Sequence, residues 1–345
     1  MLRVILRKIK LFYTDSLPAY FIATPLHSSI YYLLFSSTFK REQHAVLAGK
    51  VKHFRETKRD NANIYTLIRN IHRIEKGLLM RPRKDVFALN FIKQTMDIFE
   101  KTYQPSSCTE NSQIKWAHDV LCEFFNSTGS HPILNVERTR FNNISNQSKI
   151  FTPTSIPYKR LQENKPEISY EAFYKLARYR RSVRWFLNKK VPHELLDKAI
   201  LAANQAPSAC NRQPYEYRII DDPELLKAVR AIPMGLKGYD HNIPVMIVVI
   251  GNLDAYSYEG DRHVIYIDGS LANMCFMLAL ETMGLSSCSV NWPDIEQLER
   301  KMEKVLNLEK HQRPIMCMAV GYPDPEGLVA YSEKRSLNDL RKYNQ

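Results

Sequence analysis

The sequence predicts an α+β fold, a sheet flanked by helices and preceded by a mainly helical N-terminal region. Three observations carry this reading. From about residue 46 to 135, apolar residues recur at helical spacing and glycine is scarce. From about 169 to 345, short strand-like runs alternate with amphipathic stretches, the pattern of helices packed on a sheet. Between them, 136–168 mixes Asn, Ser, Thr and three prolines without period and reads as a linker. No internal repeat is present.

The lead segment, 1–45, opens "MLRVILRKIKLFYTD", which is basic and amphipathic, and residues 16–39 contain no Asp, Glu, Lys or Arg. That window is long enough to span a bilayer, which takes roughly 20 apolar residues. Pro18, Pro25, His27 and seven Ser or Thr residues interrupt it. The first expectation is therefore helices packed on the rest of the protein. Peripheral contact with the inner face of a membrane through 1–45 is the second, and a spanning helix the third. Asp15 interrupts the order of charge and apolar residues that a cleavable signal peptide needs.

In the helical region, "NIYTLIRNIHRIEKGLL" aligns Ile64, Leu67, Ile68, Ile71, Ile74 and Leu78 on one stripe, and "VFALNFIKQTMDIFEKTY" repeats that character. His72 and Glu75 share a helix face but, with no third ligand type beside them, read as a surface pair. Beyond the linker, a helix from about Tyr170 leads into "RRSVRWF", residues 180–186. Pro192 opens the helix "PHELLDKAILAANQA", where proline suits the first turn. "YEYRII", "PVMIVVIG", "LSSCSV" and "PIMCMAVG" read as strands. "PELLKAVRAI", "DGSLANMCFMLALETMG" and "DIEQLERKMEKVL" read as helices, the second of them long, buried and closed by a glycine.

Charge is distributed unevenly. Residues 1–150 hold 23 Lys/Arg against 12 Asp/Glu, a net of +11, leaving +2 for the remainder of a chain whose total is +13. An anionic surface or polymer would therefore meet the N-terminal half, although no nucleic-acid motif accompanies the charge and no nucleic acid is expected. The six cysteines, at 108, 122, 210, 275, 288 and 317, form no CxxC pair. They give neither a zinc site nor a disulfide framework, and a reducing cytoplasmic setting fits them.

Arg180, Arg181 and Arg184 surround Ser182 and repel one another unless solvent or an anion separates them. Downstream, "APSACNRQPYEYRII" is a polar loop rich in hydrogen-bond donors: Ser208, Asn211, Arg212 and Gln213. No Ser-His-Asp order, paired catalytic carboxylates or phosphate-cradling GxxxxGK is apparent. Arginines and amides without a side-chain acid, base or nucleophile suit an anionic organic cofactor that carries the chemistry itself. Cys210, in the same loop, reads as a small packing residue.

"RRSVRWF", "VPHELLDKAILAANQAPSACNRQPYEYRII", "IDGSLANMCFMLALETMGLSSC" and "GYPDP", in that order, resemble the FMN-dependent nitroreductase family over about 169–345. The resemblance implies a homodimer with each FMN at the subunit interface. Hydride or two electrons would pass through flavin N5 between NADH, NADPH or an organic donor and a small-molecule acceptor. It implies that Arg180, Arg181, Ser182 and Arg184 hold the phosphate, ribityl chain and pyrimidine edge, and that Lys334 and Arg335 reach the phosphate. Ser208, Ala209, Asn211 and Gln213 would approach from the partner subunit, and Ser289, Val290, Asn291 and Trp292 would pass the flavin ring. Where familiar members carry an acidic-glycine pair, this chain has Asn291 and Trp292, so Trp292 is expected either to narrow the pocket or to stack on a substrate. The N-terminal half, through "NIHRIEKGLLMRPRK", resembles an extension on some bacterial nitroreductase-like proteins near polysaccharide-biosynthesis genes. An alternative follows from it: a flavin-binding accessory protein with little turnover, docked through its basic half to a membrane or polysaccharide-assembly machinery.

Overall fold

The computed structural model describes residues 4–6, 9, 12–60, 63–104, 111–145 and 153–344. Most of the basic lead "RKIK", Cys108 and the middle of the expected linker lie outside the described residues.

The sheet has four strands, β1 Tyr215–Ile220, β2 Val245–Asn252, β3 Ser286–Val290 and β4 Gln312–Gly321, in the order β1-β2-β4-β3 with every pairing antiparallel. β2 is buried along its whole length, which explains why it reads as a continuous apolar run rather than an alternating one. Its successive side chains face opposite layers. Met246, Val248 and Ile250 join Leu226, Val229 and Met302 on one face. Val245, Ile247 and Val249 join Leu196, Ala199, Ala272, Phe276 and Leu280 on the other.

Helices run in chain order as α1 Pro25–Leu34, α2 Lys40–Arg55, α3 Ile64–Leu78, α4 Ile92–Thr102, α5 Ser112–Ser127 and α6 Pro132–Ser145 in the N-terminal region. α7 Tyr170–Tyr179, α8 His193–Ala203, α9 Pro223–Arg230, α10 Val264–Thr282 and α11 Glu296–Leu306 follow. α8 and α10 cover one face of the sheet, α9 and α11 the other.

The α3 stripe forms as its spacing requires. Asn63 caps the helix, its Oδ1 accepting from Thr66 N at 2.8 Å, and Leu67, Ile71 and Ile74 are buried against α4, α5 and α6 through Phe99, Phe124 and Phe141. α6 extends through 136–145, the first part of the stretch read as linker. Its two fully buried apolar anchors, Leu134 and Phe141, are two helical turns apart, and the one apolar residue between them, Val136, is exposed, too sparse a pattern to show as a stripe.

The N-terminal region docks on the sheet domain chiefly through α2. Ala45, Gly49 and His53 are buried, and a Cβ at Gly49 would lie 2.6 Å from the Leu253 carbonyl carbon. Arg41 bridges to Glu296 at 2.6 Å and Glu303 at 2.8 Å, both on α11. Around the junction His53 Nδ1 meets Asp254 O at 2.8 Å, Lys52 meets the Asp254 carboxylate at 3.1 Å, and His311 Nε2 meets it at 3.3 Å.

The residues before α2 depart from the first expectation for them. Neither the helical turn Leu17–Tyr20 nor α1 has a buried residue. Among the described residues these helices bury nothing against the rest of the protein.

Candidate functional site

α7 ends at Tyr179, and the backbone N–H of Arg180, its C-cap, still donates to Leu176 O at 3.0 Å. The chain then runs extended beside β3: Ser182 pairs with Ser287 in an isolated parallel bridge, and Val183 N donates to Ser287 O at 3.1 Å. Val183 and Phe186 turn into the core, which leaves Arg181, Ser182 and Arg184 on the outer side. Arg184 Nη1 reaches Ser182 O at 3.3 Å, and its guanidinium lies 6.0 Å from the Tyr239 ring. Among the described residues, none of the three arginines makes an ion pair. Arg180 Nε and Ser287 Oγ are buried without partners, and buried polar atoms rarely stay so.

Glu281, on the last turn of α10, belongs to this cluster. Its Oε2 accepts from Ser286 Oγ at 3.1 Å while Oε1 is buried without a partner. Burial pushes its carboxyl up to about 7, against the Ser286 hydrogen bond and the pull of Arg180. A hollow of 320 Å³ beside it is lined by Tyr179, Arg181, Val183, Glu281 and Ser286. The C-terminal tail returns toward the same place. The Lys334 N–H, then Tyr331, Arg178 and Arg181, hold Glu333 below the ordinary glutamate range. Lys334 and Arg335 are exposed, Arg335 donating to Asp339 O at 2.8 Å.

The second cluster is the loop before β1. Asp268, buried near the start of α10, accepts from Ser208 Oγ at 2.6 Å and from Ala209 N at 3.0 Å, and Ser208 Oγ accepts from Gln213 N at 2.7 Å. These bonds hold an unusual backbone: Cys210, Asn211 and Gln213 all have left-handed φ, at 56°, 55° and 48°. Each non-glycine residue there costs roughly 1–2 kcal/mol, so three in four positions mark a loop held for use. Gln213 Nε2 donates to Asn211 Oδ1 at 3.0 Å. In front of the loop lies a cleft of 560 Å³ that the two regions build together, with Tyr65 of α3, Gln113 and Trp116 of α5, and Asn211, Arg212 and Gln213 of the loop on its walls. His72, for its part, lies 3.6 Å from Glu75, as a simple pair.

The two clusters do not meet in one chain. Asp268 and Glu281 stand thirteen residues apart on α10, about 20 Å at 1.5 Å per residue. The ring-passing segment divides by exposure: Ser289 and Asn291 are exposed, Val290 and Trp292 buried. This corrects the expectation for the Trp292 side chain. The indole packs in the core and donates to Glu299 Oε1 at 2.7 Å, because a buried indole N–H needs an acceptor; a ring so buried offers no stacking face. Sequence reasoning passed over Asp268 and Glu281. The signal for both was an acidic residue inside an otherwise apolar helix.

The unpaired arginines at a helix end and the strained donor loop a helix-length away both lie in the part of the chain that matches known proteins. Residues 177–322 match the nitroreductase family model. An iodotyrosine deiodinase of Thermotoga neapolitana is 30% identical over 176 residues, 44% of this chain and 88% of that protein. Iodotyrosine deiodinase 1 of Sus scrofa is 26% identical over 218 residues, 55% of this chain and 73% of its own. Among solved structures, an FMN-dependent nitroreductase from Clostridium difficile R20291 is 24% identical, covers 49% of this chain and 98% of its own, and has a TM-score of 0.43. The class is that of the oxidoreductases. Within that class, the chain belongs to the nitroreductase family.

Proposed function

We propose that the protein is a homodimeric FMN-dependent oxidoreductase of the cytoplasm, moving two electrons between a nicotinamide nucleotide, or an organic donor, and a small-molecule acceptor. The observation that carries this is the group of uncompensated arginines with Arg180 Nε and Ser287 Oγ buried and unpartnered beside them, a donor set suited to an anionic cofactor. FMN, when bound, takes up and releases electrons and a proton through its N5.

The protein's own part is binding and placement. Arg180, Arg181 and Arg184 offer guanidinium forks to phosphate and to a carbonyl edge, Ser182 a hydroxyl to the ribityl chain, and Lys334 and Arg335 further positive charge. Ser208, Ala209, Asn211 and Gln213 serve the neighbouring subunit's cofactor. That division is supported by the separation along α10 and by the exposed stripe Ile267, Leu271 and Met274 on the same helix, an apolar face suited to a second copy. In the segment Ser289–Trp292, side chains can serve only at Ser289 and Asn291; Val290 and Trp292 contribute backbone. Glu281, with its carboxyl near 7, can hold or release a proton next to Arg180. The 560 Å³ cleft, of a size typical for small-molecule sites, admits donor and acceptor in turn.

The test is the visible spectrum of the purified protein before and after anaerobic addition of NADH or NADPH. A yellow protein that bleaches supports the full reading. A yellow protein that stays yellow keeps the cofactor and moves the donor elsewhere, to an organic substrate or to the low-turnover accessory role. A colourless protein that ignores added FMN overturns it.

A further inference from the structure

Residues 12–39 form a small unit with its own packing, and its helices bury no residue among the described residues. Thr24 caps α1, accepting from His27 N at 3.3 Å, and Ser28 Oγ donates to Phe21 O at 3.0 Å. Phe21 meets Tyr31 and Phe35 at ring-centroid distances of 5.8 and 5.5 Å, and Tyr32 meets Phe39 at 4.5 Å. An aromatic clasp thus joins the turn Leu17–Tyr20 to α1. Around it the apolar side chains face outward: Ile22 is 75% exposed, Leu33 71%, Leu26 68% and Leu34 66%. A contiguous apolar surface of this kind marks an interaction site.

We propose that this hairpin docks the protein on an anionic phospholipid surface, lying in the interface rather than crossing it. Length decides against crossing. α1 has ten residues, about 15 Å, against roughly 30 Å of hydrocarbon, and Pro18 and Pro25 prevent a longer helix. Charge decides the partner. No Asp, Glu, Lys or Arg occurs from 16 to 39, while Arg3, Arg7, Lys8 and Lys10 precede the segment with Asp15 between, and Lys40 follows it. An apolar wedge between basic flanks fits anionic headgroups. A second copy would instead set one basic flank against another. Tyr20, Tyr31 and Tyr32 suit the headgroup level, where amphipathic rings collect. The Arg41 bridges to Glu296 and Glu303 transmit the docking to the sheet domain. The inference does not depend on the flavin reading.

The test uses the full chain with large vesicles of phosphatidylcholine, with and without phosphatidylglycerol, and a variant carrying Ile22→Asp and Leu33→Asp. Both side chains are exposed, so the rest of the fold is unaffected, and unchanged far-UV circular dichroism and thermal midpoint check this. The expected result is co-sedimentation with the anionic vesicles that weakens with salt and falls at least tenfold in the variant. Equal partitioning of the two proteins, or equal binding to both vesicle types, overturns the proposal. So does a lipid-free wild type that forms a larger oligomer than the variant, since the hairpin's occupant is then another copy.

Discussion

The sheet domain and the N-terminal region each leave something unmatched, and the two are of opposite kinds. In the sheet domain the apolar faces of β2 and its neighbours are covered, while polar atoms beside α7 and β3 lack partners. At the N-terminal junction most polar groups find one another: His53, Lys52 and His311 all converge on Asp254, of whose oxygens Oδ1 alone lacks a partner. There the unmatched surface is apolar, on α1 and the turn before it. Unmet hydrogen-bonding capacity points to an ionic, multidentate ligand, and unmet apolar area to a lipid-like one. One chain thus carries two different requests.

The comparison is broken most strongly at the arginines. Replacing Arg180 and Arg184 with alanine removes two charge-assisted contacts of about 1.5–3 kcal/mol each, so FMN affinity should fall about a hundredfold or more. Fluorescence titration of the apoprotein measures this, and affinity within threefold of wild type would exclude these side chains from the cofactor site.

Asp268→Ala comes next. It frees Ser208 and Ala209 and leaves three left-handed residues unsupported, at a cost of about 2–3 kcal/mol in stability, read by urea unfolding together with weakened flavin binding. If flavin binding survives the stability loss, the loop serves the fold alone.

Gly49→Ala tests the other region. The added methyl must push against the Leu253 backbone and should cost about 1–3 kcal/mol, raising hydrogen exchange in α2 while leaving the flavin spectrum unchanged. A changed spectrum would mean that the regions are not separable in this way.

The smallest effect is a pH dependence of the same junction. Burial, the first cause in each case, lowers both His53 and His311 below the ordinary histidine value. His53 faces Asp254, Arg212 and Glu56; His311 faces Asp254, Lys52, Glu309 and Glu56. The docked form therefore binds fewer protons than the undocked one. Docking is stable above the usual histidine pKa of about 6.5 and weakens as pH falls through and below it. Proteolytic cutting between α2 and α3 should rise from pH 7.5 to 5.5, and a flat profile would remove the histidines from the junction.

Much of the sheet domain was legible in the sequence because its signals are local. "YEYRII" is β1 residue for residue, and the run containing Val245–Gly251 is β2 because a strand buried on both faces needs no alternation. α10 was legible for its apolar length and closing glycine. α6 was not, since only Leu134 and Phe141, with the half-buried Ile144, anchor its apolar face. The arginine stretch and the donor loop were recognisable as chemistry, yet their arrangement was not. Nothing near Ser208 in sequence indicates that Asp268, sixty residues on, will hold it, and nothing near Trp292 indicates that Glu299 will draw its indole inward. Such pairings are made by the tertiary fold, and one sequence read alone carries no record of them.

The span of α10 has a genetic consequence. If each cofactor draws its arginines from one subunit and its loop from the other, a lesion in either set disables both sites of a homodimer. Co-expressing an Arg184 lesion with an Asn211 lesion changes the outcome. Mixed dimers place both faults in one site and leave its twin whole, so random pairing of equal amounts restores about a quarter of full activity. Two silent alleles would complement each other, and the inheritance pattern alone would reveal that ownership of the site is shared.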